Sequence, residues 1–310
     1  MNRKKFLNSF LLTVLALIMI IAGLSAARGG LSLSGVAQLL GGAPTEKINI
    51  LVMGLDKEAR RADVVMVVGL DPKKDKISIL SVPRDTRVKV SSTRYDKINH
   101  TMGYSNPEET IISSVEKLTG MPINYYCEIT FEGFRRFIDE LGGVEFDVPV
   151  NMHYEDPTQD LYIHINKGLQ VLDGKQAEGV VRFRDTYARA DLQRIEVQQD
   201  FLMALFEQKL NAGIIRKAPG IIEIMYEEVK TDVPWDLALR YVGMLSGLDK
   251  DSLSTFTLPG EPRTMGGVSY VVPDEEKIKQ LILTEFGYPE DEAAKLEERD
   301  KANKPVEELE

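Results

Sequence analysis

Residues 48–85 read INILVMGLDKEARRADVVMVVGLDPKKDKISILSVPRD, and this stretch decides the fold. Ile48–Leu55 is a short apolar run, Asp63–Leu70 is a second one rich in valine, and Ile77–Val82 is a third. Apolar runs of this length between turn residues read as buried strands. Asp71-Pro72-Lys73-Lys74-Asp75 has the chemistry of a tight turn. Both links are too short to carry a crossover helix, so the three strands form an antiparallel meander. The first strand then ends near Asp56, the second starts near Asp63, and the third ends at Val82 ahead of Pro83-Arg84-Asp85. Strands running up, down and up bring these points to one end of the sheet. Asp56, Arg60, Arg61, Asp63, Arg84 and Asp85 share that rim. Taken alone, such a rim is accounted for by surface salt bridges of small energetic value.

Further along the chain, helical and extended patterns alternate. Pro107–Thr119, Phe131–Leu141, Gly174–Val181, Asp191–Leu210, Pro234–Leu245 and Asp274–Phe286 carry helical spacing or start and stop signals. Tyr125–Thr130, Val144–Val150 and Ser254–Leu258 read as strands. Strands interleaved with helices predict an α/β fold, a sheet covered on both faces.

The ends of the chain differ from its middle. Arg3, Lys4 and Lys5 precede an uncharged run from Phe10 to Ala27, about the length that spans a hydrocarbon core. Residues 1–27 therefore read as a cytoplasmic basic stub and one transmembrane helix, and the basic flank places the bulk of the chain outside the cytoplasm. A cleaved signal, with Ser25-Ala26-Ala27 as its cleavage site, is the alternative. Residues 28–45 are a spacer, 46–287 an extracytoplasmic domain with its core at 46–212, and 288–310 an acidic, disordered tail. Beyond Pro289 acids outnumber bases by nine to four.

Composition removes several function classes. The 310 residues carry 38 Lys and Arg against 48 Asp and Glu, a formal charge of −10, which argues against a nucleic-acid partner. One cysteine, Cys127, excludes a disulfide framework or a cysteine-rich metal site, and it reads as a small buried hydrophobe. His100, His153 and His164 have no ligand spacing. Any metal should be hard and held by carboxylates.

A second charged stretch changes the weight of the first. Val180-Val181-Arg182-Phe183-Arg184-Asp185 runs on to Asp191-Leu192-Gln193-Arg194. If residues 182–184 are extended, Arg182 and Arg184 point to one face. On the helix that follows, Asp191, Arg194 and Gln198 share a face at offsets of three and four. Arginine forks suit phosphate oxygens. Carboxylates beside them suit Mg²⁺, which takes one or two carboxylates plus phosphate oxygens and water. Phosphoryl transfer or pyrophosphate binding is the chemistry this suggests, without a Walker loop or dinucleotide fingerprint. Phe131, Phe134, Phe137 and Ile138 read more simply as core than as a ligand groove. Lys97 and Asn99 read either as substrate-facing or as turn residues, and Asp85 as a partner of Arg84 or a turn cap.

Several motifs in order resemble the LytR–CpsA–Psr family of cell-wall ligases. Asn49–Asp56 resembles its opening strand, Arg61-Ala62-Asp63 its Arg-Ser-Asp step, Ser81–Thr86 its Ser-Ile-Pro-Arg-Asp-Thr segment, and Lys97-Ile98-Asn99 its Lys-Ile-Asn. Tyr125–Phe134, Leu141–Val144, Val181–Arg184 and Asp191–Leu202 follow the same pattern, firmly over 46–212 and loosely to about 287. The resemblance implies an α/β/α sandwich with a central mixed sheet and a hydrophobic groove. It implies a phosphotransferase that moves a glycopolymer from an undecaprenyl-pyrophosphate carrier onto peptidoglycan, with Mg²⁺ as cofactor. By resemblance, Asp56 and Asp63 hold the metal. Arg61, Arg84, Arg182, Arg184, Arg194 and Gln198 contact the pyrophosphate, and Asp63, Arg84 and Asp191 are catalytic. Either Asp63 or Asp191 activates the acceptor hydroxyl. Two positions depart from the pattern. Ala62 replaces a serine, and Val197 stands where the family often has arginine before Gln198-Gln199. The competing functions are a polyprenyl-pyrophosphate phosphatase and a non-catalytic scaffold that binds the same lipid.

Overall fold

The computed structural model describes residues 44–55, 61–91, 94–157, 161–183, 190–209, 224, 227–234, 237, 241 and 250–289. The meander is present. β1 (Ile48–Leu55) pairs antiparallel with β2 (Ala62–Asp71), and β2 pairs antiparallel with β3 (Lys76–Ser81). The turn between β2 and β3 closes through Lys74 N–H to Asp71 C=O at 3.2 Å, with the Asp71 carboxylate accepting from Lys73 N–H. β4 (Arg87–Lys89) and β5 (Tyr95–Lys97) form a small ribbon after β3. A 3-10 turn at Ile98–Gly103 leads to α1 (Pro107–Thr119), which opens on a proline and closes at Gly120.

β6 (Tyr125–Thr130) lies parallel to β1 and runs straight into α2 (Phe131–Glu140), whose first turn is capped by the Thr130 hydroxyl accepting from Gly133 N–H at 3.0 Å. The helix stops at Gly142-Gly143, both at φ 77°. A Cβ on Gly143 would stand 2.7 Å from the Leu172 carbonyl, so the stop requires glycine there. β7 (Val144–Val148), β8 (Met152–Asp156), β9 (Leu161–Ile165) and β10 (Gly168–Leu172) follow as two ribbons, β7 with β10 and β8 with β9. α3 (Gly174–Arg182) starts in a capping box between Asp173 and Gln176. α4 (Ala190–Lys209) is the long helix. β11 (Val229–Thr231) adds to β6, and β12 (Leu253–Thr257) lies parallel to β3. The hairpin of β13 (Gly260–Met265) and β14 (Val268–Pro273) and then α5 (Glu275–Leu281) complete the described chain.

The result is a mixed α/β fold around one mixed sheet of order β11-β6-β1-β2-β3-β12. Alternation along β1 explains the covering of both faces. Leu51, Met53 and Leu55 pack with Ile111 and Val115 of α1 and Ile278 of α5. Ile48 and Ile50 pack with Cys127 on the other face, where Phe206 of α4 and Phe137 of α2 close over them. A further cluster, with Ile138, Val180, Val181, Val197 and Phe201 inside, joins α2, α3 and α4 to the β7–β10 ribbons.

Three expectations change. The strand expected to reach Val150 ends at Val148. Arg182 is the last residue of α3, so the extended reading of 182–184 fails at its first residue. The helix expected to reach Phe286 stays α-helical to Leu281 and continues as a π turn, Ile282–Phe286. The five-residue ribbons β7–β10 were legible only at β7. The proposed membrane segment 10–27, the tail beyond Pro289 and most of the expected 234–245 helix lie outside the described residues. Among the described residues no helix is long and apolar enough to cross a membrane.

Candidate active site

The rim expected from the meander carries a local irregularity. Pairing of β1 with β2 runs in regular steps to Gly54 opposite Val64, then shifts so that Leu55 faces Ala62. Asp63 is the extra residue of a β-bulge. A bulge breaks the two-residue alternation and re-aims a side chain. Ala62 is fully buried in the α1 side of the core, while Asp63 and Val64 both line a cavity on the α4 side.

That cavity gathers residues from distant parts of the chain: Asp63, Arg84, Tyr154, Arg182, Arg194 and Gln198 line it, with Phe131, Val181 and Leu161. Arg84 Nη1 donates to Asp63 Oδ1 at 2.6 Å, in a pair whose side chains are 17% and 15% exposed. Arg194, itself 4% exposed, donates from Nη2 to the Asp63 carbonyl at 3.3 Å. Arg182 Nη1 donates to Glu178 at 2.7 Å, and its guanidinium lies over the Phe131 ring at 4.4 Å. Glu178 is held in turn by Arg135 at 2.9 Å. Three guanidinium groups therefore converge on a space lined by one described carboxylate. The imbalance favours a bound anion, and partial burial strengthens it.

A second, apolar chamber of about 150 Å³ adjoins the first. Val52, Met66, Ile129, Phe134, Phe201 and Leu202 wall it, and Val64, Phe131, Val181 and Gln198 are common to both chambers. Phe131 and Phe134 thus line cavities, against the expectation of core. Ile138 is fully buried as core. Gln198 stands at the boundary, but its Nε2 donates to the Val181 carbonyl at 2.7 Å. That bond fixes α4 to α3 and leaves the second N–H and Oε1 of the amide. Gln199, not singled out from sequence, pins α4 to the sheet through the Phe256 carbonyl at 2.9 Å and Ser81 Oγ at 3.1 Å.

The Arg84 segment is braced from outside the cavity. Lys97 Nζ meets Asp85 Oδ1 at 2.8 Å, Asn99 N–H donates to the Arg84 carbonyl at 3.1 Å, and Asp85 C=O accepts from Val271 N–H at 2.9 Å. Asp85 pairs with Lys97 instead of Arg84, and Lys97 and Asn99 position the segment. Arg61 is exposed and does not line the cavity. Asp191 lies on the first turn of α4, and Asp56 and Arg184 fall outside the described residues. His100 pairs with Asp96 at 2.9 Å and His164 with Glu155 at 3.1 Å, away from the cavity. Cys127 is buried, and burial pushes its thiol up to about 12. Sequence reasoning missed Tyr154 and Leu161, which arrive on the β8–β9 ribbon. The alternation in Leu161–Ile165 was the available signal.

Among the described residues no cluster of three His, Cys, Asp or Glu side chains is arranged for a metal. Asp63 nevertheless supplies a hard oxygen donor beside three arginines. That donor set fits a magnesium ion whose remaining ligands are phosphate oxygens and water.

The model of the LytR_cpsA_psr family matches residues 31–285. The chain belongs to the LytR–CpsA–Psr family. Over 245 residues it is 29% identical to the polyisoprenyl-teichoic acid–peptidoglycan teichoic acid transferase TagU of Oceanobacillus iheyensis, covering 76% of this chain and 74% of that one. Over 257 residues it is 30% identical to the transferase TagV of Bacillus subtilis, covering 78% and 66%. The crystal structure of B. subtilis TagV superposes with a TM-score of 0.65 at 29% identity, over 82% of this chain and 97% of that one. A structure of TagT bound to LI-WTA shares the fold, with a TM-score of 0.63 at 23% identity over 82% and 90% of the two chains. The two departures of this LytR–CpsA–Psr member sit in the core. Ala62 faces α1, and Val197, 5% exposed, packs with Phe201 and Val181.

Proposed function

We propose that this chain is a Mg²⁺-dependent phosphotransferase that moves an anionic glycopolymer from an undecaprenyl-pyrophosphate carrier onto peptidoglycan. The observation that carries the reading is the joining of the two chambers. An arginine-lined space for a pyrophosphate opens directly beside a carbon-walled space for the first units of a polyprenyl chain. The names of the TagU and TagV relatives point to the same reaction class. In this reading the chain is a single-pass membrane protein, with residues 10–27 as anchor, the N-terminus in the cytoplasm and the domain outside.

Arg84, Arg182 and Arg194 hold the pyrophosphate oxygens and neutralise charge that grows on them as the phosphoryl group moves. Arg184 and Arg61 are further candidates for the same task. Asp63 and Asp56 would hold the ion. Bound there, Mg²⁺ would supply Lewis-acid neutralisation of phosphate charge. Asp63 also orients Arg84 through their hydrogen bond. Gln198 fixes the wall between the chambers through the Val181 carbonyl and, lining the arginine chamber, is a further polar contact for the phosphate. Asp63 or Asp191 takes the proton of the acceptor sugar hydroxyl.

The test uses the full-length protein in detergent, a polyprenyl-pyrophosphate-linked sugar and peptidoglycan oligomers, with and without Mg²⁺. Mass spectrometry should find a phosphodiester-linked product and polyprenyl phosphate only with the ion. Release of phosphorylated sugar into water without ligation would make the protein a phosphatase. Lipid binding without turnover would make it a scaffold.

A further inference from the structure

A cleft of about 590 Å³ lies on the α1–α5 side of the sheet, across from the two chambers. Arg87 and Lys89 of β4, Lys117 of α1 and Lys279 of α5 line it, and Glu275 is the one acid that does. In a chain of net charge −10 this is a local reversal of sign. Tyr95 and Tyr288 add aromatic walls. The Arg87 guanidinium lies 3.6 Å over the Tyr95 ring, and Lys47 Nζ lies 4.2 Å over Tyr288. No described carboxylate pairs with Arg87 or Lys89. Stacking holds a guanidinium by its face while its N–H edge keeps its hydrogen-bonding geometry for an anion. The segment Arg84–Lys89 runs from the phosphate chamber to this cleft, since Arg84 lines one and Arg87 and Lys89 the other.

We infer that this cleft binds a polyanionic glycan strand with repeating phosphate groups, as a site separate from the phosphotransfer cavity. Cations spread over three elements match a ligand whose charge repeats along its length. A single phosphate would engage only one or two of them. Flat apolar walls beside cations suit sugar or polyol units between the charges. Naming a wall polymer as the natural ligand rests on the transferase reading, whereas the affinity for repeating phosphate does not.

The experiment measures binding of poly(glycerol phosphate) oligomers to the full-length protein in detergent, against neutral dextran of equal length. The variant is Lys89→Glu/Lys117→Glu/Lys279→Glu, three exposed or half-exposed lysines outside the phosphotransfer cavity. The wild type should bind the polyanion, weaken steeply with salt and ignore dextran. The triple variant should lose at least tenfold in affinity while its circular dichroism spectrum and melting temperature hold. That result would stand even if no ligation is ever seen, so failure of the transferase reading and failure of this site are distinguishable. Equal binding of dextran, or unchanged affinity in the triple variant, overturns the proposal. So does carbodiimide crosslinking of Lys117 or Lys279 to acids of residues 290–310 in the polymer's place, which would make the chain's own acidic stretch the occupant.

Discussion

Two charged clusters belong to the same central sheet, and they are unbalanced in opposite senses. At the bulged end of β2, three arginines surround Asp63 beside a cavity. At the β6–β11 edge, three carboxylates, Glu108, Glu128 and Asp232, gather near Lys230. There Lys230 bonds Glu108 and reaches Glu128 at 3.4 Å, while Asp232 Oδ1 accepts from Tyr126 N–H at 2.8 Å. Acidities at the edge are shifted by their surroundings. Burial pushes Glu128 and Asp232 up, and Glu108 pushes Glu128 further. Perturbed acidity is a common marker of active sites, but structural networks produce it as well. What separates the two clusters is the adjoining cavity and the sign of the charge that lines it.

The strongest way to break that contrast is Asp63→Asn. It keeps the shape and removes the charge that Arg84 faces. Turnover should fall by about 10²–10³-fold, the scale of removing one group preorganised toward transition-state charge. Binding of the lipid pyrophosphate should persist, because the arginines remain. Equal loss of binding and turnover in a folded variant would remove Asp63 from the chemistry. Next in size is Leu202→Trp, which fills the apolar chamber. It should raise KM for a long-chain polyprenyl donor about tenfold and leave a short water-soluble pyrophosphate donor unchanged, by comparison of the two substrates. A matched loss on both would mean that the chamber does not hold lipid.

Much of this arrangement was legible because its parts are local. The meander follows from three short apolar runs with links too short for a crossover, and it brought Asp63 and Arg84 to one rim. The side on which Asp63 faces was not legible. A one-residue bulge decides it, and the bulge depends on pairing with β1 that no local pattern records. The extended reading at Arg182 failed because Phe183 ends α3 after Arg182, so the arginine is presented from a helix terminus. Phe131 and Phe134 could not be separated from core residues, because a chamber wall and a core wall have the same chemistry and the same spacing.

Val197 sharpens that point with a smaller effect. Its place in the core predicts that Val197→Gln buries an amide and costs about 1–3 kcal/mol of stability without raising turnover. Denaturant melts beside the ligation assay would check both halves. A stable variant with faster turnover would return position 197 to the site.

The smallest effect belongs to the β6–β11 edge, and there the direction matters more than the size. Glu128 in the folded state holds its proton to a higher pH than the ordinary carboxylate value of 4.5. Burial is the first cause, opposed by Lys230 and reinforced by Glu108. Within the window that opens near 4.5 and closes at the raised value, the folded state binds more protons at this residue than the unfolded state does. Stability contributed by Glu128 therefore falls as pH rises through that window. Glu108 runs the other way. Burial would raise it, but the Lys230 hydrogen bond holds it below the ordinary value, so its contribution is lost as pH falls. Glu128→Gln removes the first titration while keeping a similar shape. The melting temperature of the variant relative to wild type should climb with pH across the window and flatten above it, with ligation rates unchanged throughout. A pH-independent offset would mean that Glu128 is ionised in the fold across that range. A loss of ligation would make the edge cluster part of the catalytic apparatus and end the distinction between the two clusters.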